Sequence, residues 1–359
     1  MSSYNEEDII QESISKLIQQ GIDVLLIDNG STDSTVEKAE IFINEGLIKI
    51  DQCVFYESNI EVYDWSKILE RKQDWAKQLD YDWYIHVDAD EIRYSPWKGV
   101  PLSEGVRIVD NMGYNLINFR LFNFKLNSNE VEDISVEDSL KFYVGTESFN
   151  RMQLKAWKRD SEIDLVTHGG HRALIRNPKI FPIRFIHKHY PIRSLEQGKQ
   201  KIFKDRLSRY SIIDRQKGWH VQYDHFNIPE VNVEKLMLGK KQDLILYNHD
   251  NILNELFLES LQIINIQSEI IAGIHFNDEQ EEFYVQSKIV EKFDKELVEE
   301  IKIIAKYTEN LIRRSEVIDA QIIDNYDLKK VIFELLKKQA LNEYLNGDPM
   351  LWDGLNILL

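Results

Sequence analysis

The sequence predicts an α/β protein in which a Rossmann-like, mostly parallel sheet with flanking helices is followed by an α-helical C-terminal domain. Three observations predict it. Short apolar strands alternate with amphipathic helices between residues 8 and 87, the pattern of a parallel sheet covered on both faces. Strand-like runs dominate between residues 115 and 187, and helical periodicity takes over from about residue 195. With 359 residues, 43% of them hydrophobic, the chain can bury a full-sized core in two domains, or in one domain with a large extension.

Residues 8–20 set Ile10, Ile14, Leu17 and Ile18 on one helical face, and Gly21 ends that helix. Val24-Leu25-Leu26-Ile27 is apolar throughout, as a strand inside a parallel sheet must be. Residues 28–33 form a loop, and Ser34 with Glu37 reads as a capping box for a helix ending near Asn44. A second strand follows at 47–50. The helix at 64–79 turns Trp65, Ile68, Leu69, Ala76 and Leu79 inward, and the strand at 83–87 stops abruptly at Asp88-Ala89-Asp90-Glu91. Strands are expected at 116–122, 152–157 and 181–187, and helices over 231–268, 285–314 and 327–345. A break near Asn227-Ile228-Pro229 divides a first domain at 1–225 from a helical domain at 230–359, whose apolar stripes suit a bundle core and, secondarily, a homo-oligomer contact.

The net charge of −17 argues against nonspecific nucleic-acid binding. Its distribution says more. Residues 151–217 carry 17 Lys and Arg against 6 Asp and Glu, whereas residues 226–359 carry 14 against 25. A basic middle in an acidic chain suits an anionic small molecule, and the acidic end argues against docking on anionic lipid. No apolar run approaches the roughly 20 residues of a membrane span. The opening Met1-Ser2-Ser3-Tyr4-Asn5-Glu6-Glu7 lacks the basic and apolar regions of a secretory signal. Cys53 stands alone, which excludes an internal disulfide and a thiolate zinc cluster. A reducing, cytoplasmic location is expected.

Asp88-Ala89-Asp90 sets two carboxylates just past an apolar strand, where they can share a hard divalent cation with a diphosphate. Asp80-Tyr81-Asp82 has the same pattern but precedes its strand, where a solvated turn is expected. In the 28–33 loop, the Asp28 carboxylate can accept a nucleobase N–H, and Tyr4 can stack on the base face. The same loop also reads as an Asx turn with Gly30 at positive φ.

Taken in order, Tyr4-Asn5-Glu6-Glu7, Ile27-Asp28-Asn29-Gly30-Ser31-Thr32-Asp33-Ser34-Thr35 and Ile85-His86-Val87-Asp88-Ala89-Asp90-Glu91 resemble the family 2 glycosyltransferases over roughly residues 4–95. The resemblance implies a GT-A fold. It implies that Tyr4 and Asp28 bind a nucleobase, Asp88 the ribose or metal, and Asp90 the metal and diphosphate, with Arg71 near a basic position that contacts the donor. In that family an apolar strand precedes the Tyr-Asn-Glu motif; here three residues stand in its place, so a very short strand or further upstream residues are expected.

A third cluster lies in the basic middle: His168-Gly169-Gly170-His171-Arg172, then His187-Lys188-His189-Tyr190-Pro191-Ile192-Arg193-Ser194. His187 and His189 share a face if they lie on a strand, and neutral imidazole is a good metal ligand. GT-A enzymes often complete the metal shell with a downstream His, and a branch related to family 2 carries a similar His-x-His-Tyr-x-x-Arg-Ser segment. His187 is expected first, since it ends an apolar strand, with His189 second. Lys188, Arg193 and Lys199 are candidates for the diphosphate. For the base that deprotonates an acceptor hydroxyl, the candidates are Asp164, before the Gly-Gly turn, His171 and Glu147.

The expected function is a glycosyltransferase using Mn²⁺ or Mg²⁺ and a UDP-, GDP- or dTDP-linked sugar. The acceptor is a glycan, lipid-linked or other glycoconjugate, and the resemblance implies surface-polysaccharide or glycoconjugate synthesis. The alternatives are a metal-dependent nucleotidyltransferase, although residues 28–33 hold no Lys or Arg, and a non-catalytic nucleotide- or glycan-binding scaffold of the same fold.

Overall fold

The computed structural model describes residues 1–44, 48–57, 60–126, 135–144, 153–206, 209–219 and 243–249, together with 238, 240, 252, 256, 274–277 and 282–285. The chain divides into two compact units, Met1–Ser95 with Val100–Asn248, and Pro96–Gly99 with His249–Leu359.

The first unit begins with three parallel strands, β1 (Ser2–Ser3), β2 (Val24–Asp28) and β3 (Ile48–Gln52), with β2 in the middle. The register of β1 sets Ser2 opposite Ile27 and Ser3 opposite Asp28. Helix α1 (Ile10–Gln19) connects β1 to β2 and buries Ile10, Ile14 and Leu17, the stripe its spacing marks out. Helix α2 (Thr35–Asn44) connects β2 to β3. Its first N–H goes to the Asp33 carboxylate, at 2.9 Å, while the Ser34 N–H meets Glu7.

After the β4 (Phe55–Glu57) and β5 (Ile60–Val62) pair comes α3 (Trp65–Gln78). Asp64 caps it through the Lys67 N–H at 3.0 Å. Strand β6 (Trp83–Ile85) follows, then β7 (Glu91–Tyr94), α4 (Leu102–Asn111), β8 (Leu116–Phe124), α5 (Val136–Ser139), β9 (Phe142–Val144), β10 (Leu154–Lys158) and β11 (Ile180–His189). Helix α6 (Leu195–Lys199) runs into a π-helical turn, Gln200–Arg206, before α7 (Ile212–Gln216) and the edge strand β12 (Ile245–Leu246).

The parallel expectation holds in the first sheet only. In the second, β11 runs parallel to β8, but β6, β7, β9, β10 and β12 all pair antiparallel. Most of these antiparallel pairs join segments far apart in sequence, β6 with β10, β7 with β11 and β9 with β12. The sheets meet where Ser2 bridges Asp88 and the Ala89 N–H reaches the Ser2 carbonyl at 3.0 Å, just past the point where the His86 N–H extends the β6–β10 pairing to the Lys155 carbonyl at 2.8 Å. A core of Trp65, Ile68, Leu69, Leu154, Trp157 and Leu165 lies under α3.

In the second unit, residues 249, 252 and 256 are helical, and Ile274–Asn277 pairs antiparallel with Glu282–Val285. The helices expected over 285–314 and 327–345, and the proposed break at 227–229, lie outside the described residues. Neither that strand pair nor β12, which falls inside the helix expected over 231–268, shows in the helical periodicity. Among the described residues no helix is long and apolar enough to cross a membrane.

Candidate active site

A cavity of about 200 Å³ opens where β1 and β6 end, the position at which an α/β sheet offers its ligand site. Ser2 of β1 and Tyr4 and Glu6 of the loop after it line the cavity, with Asp88 and Asp90 from the segment after β6, Glu91 from the start of β7, and Lys155, His171, His189 and Lys201 from the rest of the unit. A larger cavity of about 380 Å³, lined by Leu17, Val24, Trp75 and Val106 among others, contains neither Asp88 nor Asp90. Both carboxylates of the Asp88-Ala89-Asp90 motif line the smaller one.

The first two motifs hold each other. Asn5 adopts a positive φ of 52° and its Oδ1 accepts the Thr32 N–H at 2.8 Å, while the Glu6 N–H donates to Thr35 Oγ1 at 2.8 Å. Asp28 is buried. It accepts from Ser3 Oγ at 3.0 Å, the Gly30 N–H at 3.1 Å, and the Ser31 N–H and Oγ at 2.9 and 2.5 Å. Its carboxylate is thereby engaged by the turn, and it is not among the residues that line the cavity. Next to it, the Asn29 Oδ1 is buried without a partner, its amide nitrogen donating to the Cys53 carbonyl at 3.0 Å. Tyr4 is at the cavity, with the Arg209 guanidinium 3.6 Å from its ring centre. Arg209 in turn meets Glu61.

The third motif sits on a buried ionic frame. Asp88 Oδ1 accepts from Ser2 Oγ at 2.6 Å and lies 3.3 Å from Lys72 Nζ. Asp90 Oδ2 lies 2.7 Å from Lys201 Nζ and 3.6 Å from His189 Nε2. Burial alone would raise the Asp90 carboxyl, but Lys201 and then His189 hold it well below the usual range. Glu91 accepts the Asp88 N–H at 3.0 Å and meets Arg93 at 2.6 Å, Lys155 at 2.9 Å and His187 at 2.9 Å. His187 is pushed well below its usual value by burial and by Arg93. It stays neutral, so Arg93 and Lys155 supply the positive charge that keeps Glu91 ionised.

The register of β11 against β7 sets His189 opposite Glu91 and His187 opposite Arg93. His189 therefore reaches the cavity beside Asp90, whereas His187, 1% exposed, stays behind it against Glu91. This reverses the expected order of the pair. The other expected donors point elsewhere. Arg71 is exposed on α3 and pairs with Asp51 at 2.7 Å. Lys188 pairs with Glu137 at 2.5 Å, because alternate β11 side chains face opposite ways. Arg193 is buried against Glu6 at 2.5 Å and Asp8 at 2.7 Å, so it braces the first loop. Lys199 is exposed on α6 and lines no part of the cavity.

Of the base candidates, Asp164 accepts from the Val166 N–H at 2.8 Å and the Thr167 N–H at 3.0 Å. It caps that turn and is not at the cavity. Glu147 lies outside the described residues. His171 lines the cavity. Its ring is hemmed in by neighbouring atoms, yet the residue as a whole is exposed to solvent. Burial and Lys155 both move it downward, and that direction leaves the imidazole neutral at pH 7. Gly170 has φ +82°, and a Cβ there would stand 2.8 Å from His86 Nε2. The Gly-Gly turn is thus needed for close packing, with the Gly169 carbonyl accepting the Trp65 indole N–H at 2.9 Å.

Four contributors escape the sequence reading. Lys72 does carry a signal, since it falls on the apolar stripe of Ile68, Leu69 and Ala76, where a lysine needs a buried acid. His86 sits inside an apolar strand. Lys201 and Arg209 are single cations among many in the basic middle, and nothing in their spacing separates them.

Asp88, Asp90 and His189 offer the oxygen and nitrogen donors that suit Mn²⁺ or Mg²⁺. Among the described residues, however, no set of three or more His, Cys, Asp and Glu side chains converges as a preformed shell. The donors fit the ion in kind, with Lys201 now against one of them.

Residues 1–91 match the family model for glycosyl transferase family 2, and over that span the chain is family 2-like. No curated protein sequence matches the chain. Among solved structures, S. aureus TarS 1-349 in complex with UDP is similar at 17% identity over 44% of this chain and 45% of that one, with a TM-score of 0.28. The complex with UDP-GlcNAc gives 17% identity over 44% and 43%, with a TM-score of 0.27. S. aureus TarS 1-349 alone gives 14% over 65% and 75%, with a TM-score of 0.29. The matched region spans less than half the length of the first two. Likeness at these scores leaves fold and activity to be argued from this chain's own residues.

Proposed function

We propose, from the premise of a family 2-like segment at residues 1–91, that the chain is a glycosyltransferase. It moves a sugar from a nucleoside diphosphate onto a hydroxyl of a glycan, lipid-linked or other glycoconjugate acceptor. The observation that carries the reading is the meeting of Tyr4, Asp88, Asp90, His171 and His189 at one cavity beyond the strand ends. Tyr4 offers an aromatic face for the nucleobase, and Lys201 and Lys155 offer positive charge to the diphosphate. Asp88, Asp90 and His189 would hold Mn²⁺ or Mg²⁺, which would supply further positive charge to the departing diphosphate. The acceptor oxygen bonds to the anomeric carbon as the bond from that carbon to the diphosphate oxygen breaks, and the bonding pair leaves with the diphosphate. His171, neutral and lining the cavity, takes the acceptor proton. We place this activity in the cytoplasm, in surface-polysaccharide or glycoconjugate synthesis.

Thermal-shift titration of UDP, GDP and dTDP, each with Mn²⁺, tests the reading. One nucleotide should raise the melting temperature, since a ligand at 100 Kd adds about 2.7 kcal/mol. No shift with any of the three would sink it. Once a donor is known, His171→Gln should lower kcat by about 10²–10⁴ and leave nucleotide affinity unchanged. An unchanged kcat removes His171 as the base.

A further inference from the structure

The carboxylate at the centre of the cavity already has a cation belonging to this chain. Lys201 projects from the π-helical turn Gln200–Arg206, a wound form found often at functional sites, and the residue is only 5% exposed. Its ammonium lies 2.7 Å from Asp90 Oδ2 and 2.8 Å from Glu6 Oε1. The two carboxylates differ in what else they hold. Glu6 has Arg193 at 2.5 Å, whereas the other side chain brought to Asp90 is His189, at 3.6 Å. Taking Lys201 away leaves Glu6 paired and Asp90 without its close cation. A buried charge stripped of its partner is costly, so Asp90 would then seek another cation.

We propose that Lys201 is the resident counter-cation of Asp90, and that its ammonium and a divalent cation are alternative occupants of that carboxylate. The displaced ammonium passes to the diphosphate. This rests on the glycosyltransferase reading for the identity of the diphosphate. A cation arriving alone must break the buried pair between Lys201 and Asp90 with no new anion for the ammonium, so it binds weakly. A diphosphate arriving with it gives the ammonium a new anion, and each ligand then strengthens the other by the same factor. Lys201 thereby sets both the intrinsic metal affinity and the dependence of metal binding on the donor.

The test is Mn²⁺ binding to the full chain, followed by electron paramagnetic resonance of the free ion, with no nucleotide present and then with inorganic pyrophosphate. Lys201→Met, which keeps the stem and removes the charge, should bind Mn²⁺ alone at least about tenfold more tightly than the wild type, within the usual range of coupling between linked sites. The factor by which pyrophosphate strengthens Mn²⁺ should shrink in the same variant. Lys201→Arg should keep the weak binding, and Asp90→Asn placed on Lys201→Met should cancel the gain. If circular dichroism shows Lys201→Met unfolded, Lys201→Gln, which still donates to Glu6, decides. Equal or weaker Mn²⁺ binding in the uncharged variant, or a gain that survives Asp90→Asn, overturns the proposal. The Mn²⁺-alone arm uses no donor. Should no nucleoside diphosphate bind, the glycosyltransferase reading falls while this arm still decides the role of Lys201.

Discussion

His86 is 2% exposed, with Lys72 Nζ 3.2 Å from its Nδ1. Burial first, then Lys72 and Lys155, push its pKa well below 6.5. The sign of the effect follows directly. The folded state keeps the ring neutral while the unfolded chain takes up a proton below pH 6.5, so stability falls as pH falls through that value. One such group contributes about 1.4 kcal/mol per pH unit. Urea unfolding of wild type and His86→Asn between pH 7 and 5.5 should show the variant with the shallower slope by about that amount; parallel slopes would show that the ring is protonated in the fold. Asp28 gives a second residue-scale expectation. It satisfies four donors of its own loop, so Asp28→Ala should cost stability, by about 1–3 kcal/mol, before it costs any ligand. A variant of wild-type stability with weakened nucleotide binding would instead place this carboxylate on the nucleobase. This residue shows where sequence stops: the position of a carboxylate in a loop is legible, but the direction in which it spends its lone pairs is not.

Elements were more legible than residues wherever their period was unbroken. Helices α1 and α3 and strand β2 follow from their stripes and apolar runs, because burial on one face or both leaves a pattern that tertiary context cannot hide. The π-helical turn and the two-residue β12 have no such pattern. Helix α4 lies between. Its spacing of Leu102, Val106 and Val109 is helical and all three are buried, but Gly105 in mid-helix weakens the signal. The structure explains that glycine. A Cβ at residue 105 would stand 2.7 Å from Ser95 Cβ and 3.2 Å from the Phe185 ring, so α4 seats against the sheet only without one. Gly105→Ala would gain up to about 1 kcal/mol in helix propensity and lose about 1–3 kcal/mol to overpacking. The contact is with a Cβ rather than the end of a flexible chain, so the loss should win. Net destabilisation in urea, relieved in part by adding Ser95→Gly, is the expected result. A more stable Gly105→Ala would mean that α4 can shift away from β11.

At the scale of the whole first unit, the acid limit of stability should come from ion pairs that join distant segments. Glu137 on α5 meets Lys188 of β11 at 2.5 Å, Lys16 of α1 at 2.9 Å and the Tyr94 hydroxyl of β7 at 2.8 Å. It fastens four elements far apart in sequence. Burial by itself would raise its carboxyl, but Lys188, Lys16 and Tyr94 together bring it down to about 2. A carboxyl depressed in the fold adds stability that is complete above the unfolded pKa near 4.5 and disappears as pH falls toward 2. The size is about 3 kcal/mol, with the side chain only 15% exposed and so little screened. An opposing effect acts over the same range. The chain carries −17 at pH 7 and its pI is about 5.1, so acid first relieves self-repulsion and favours the compact state. Relief is spread over exposed, salt-screened charges, whereas the Glu137 contacts are buried and close, so below pH 4.5 the loss should prevail. Glu137→Gln should therefore be less stable than wild type at pH 6 by roughly that ~3 kcal/mol, and the gap should close steadily between pH 4.5 and 2. Raising the salt concentration should flatten the wild-type curve near pH 5 without changing the gap. A gap that stays constant down to pH 2 would place the variant's loss in packing rather than in charge.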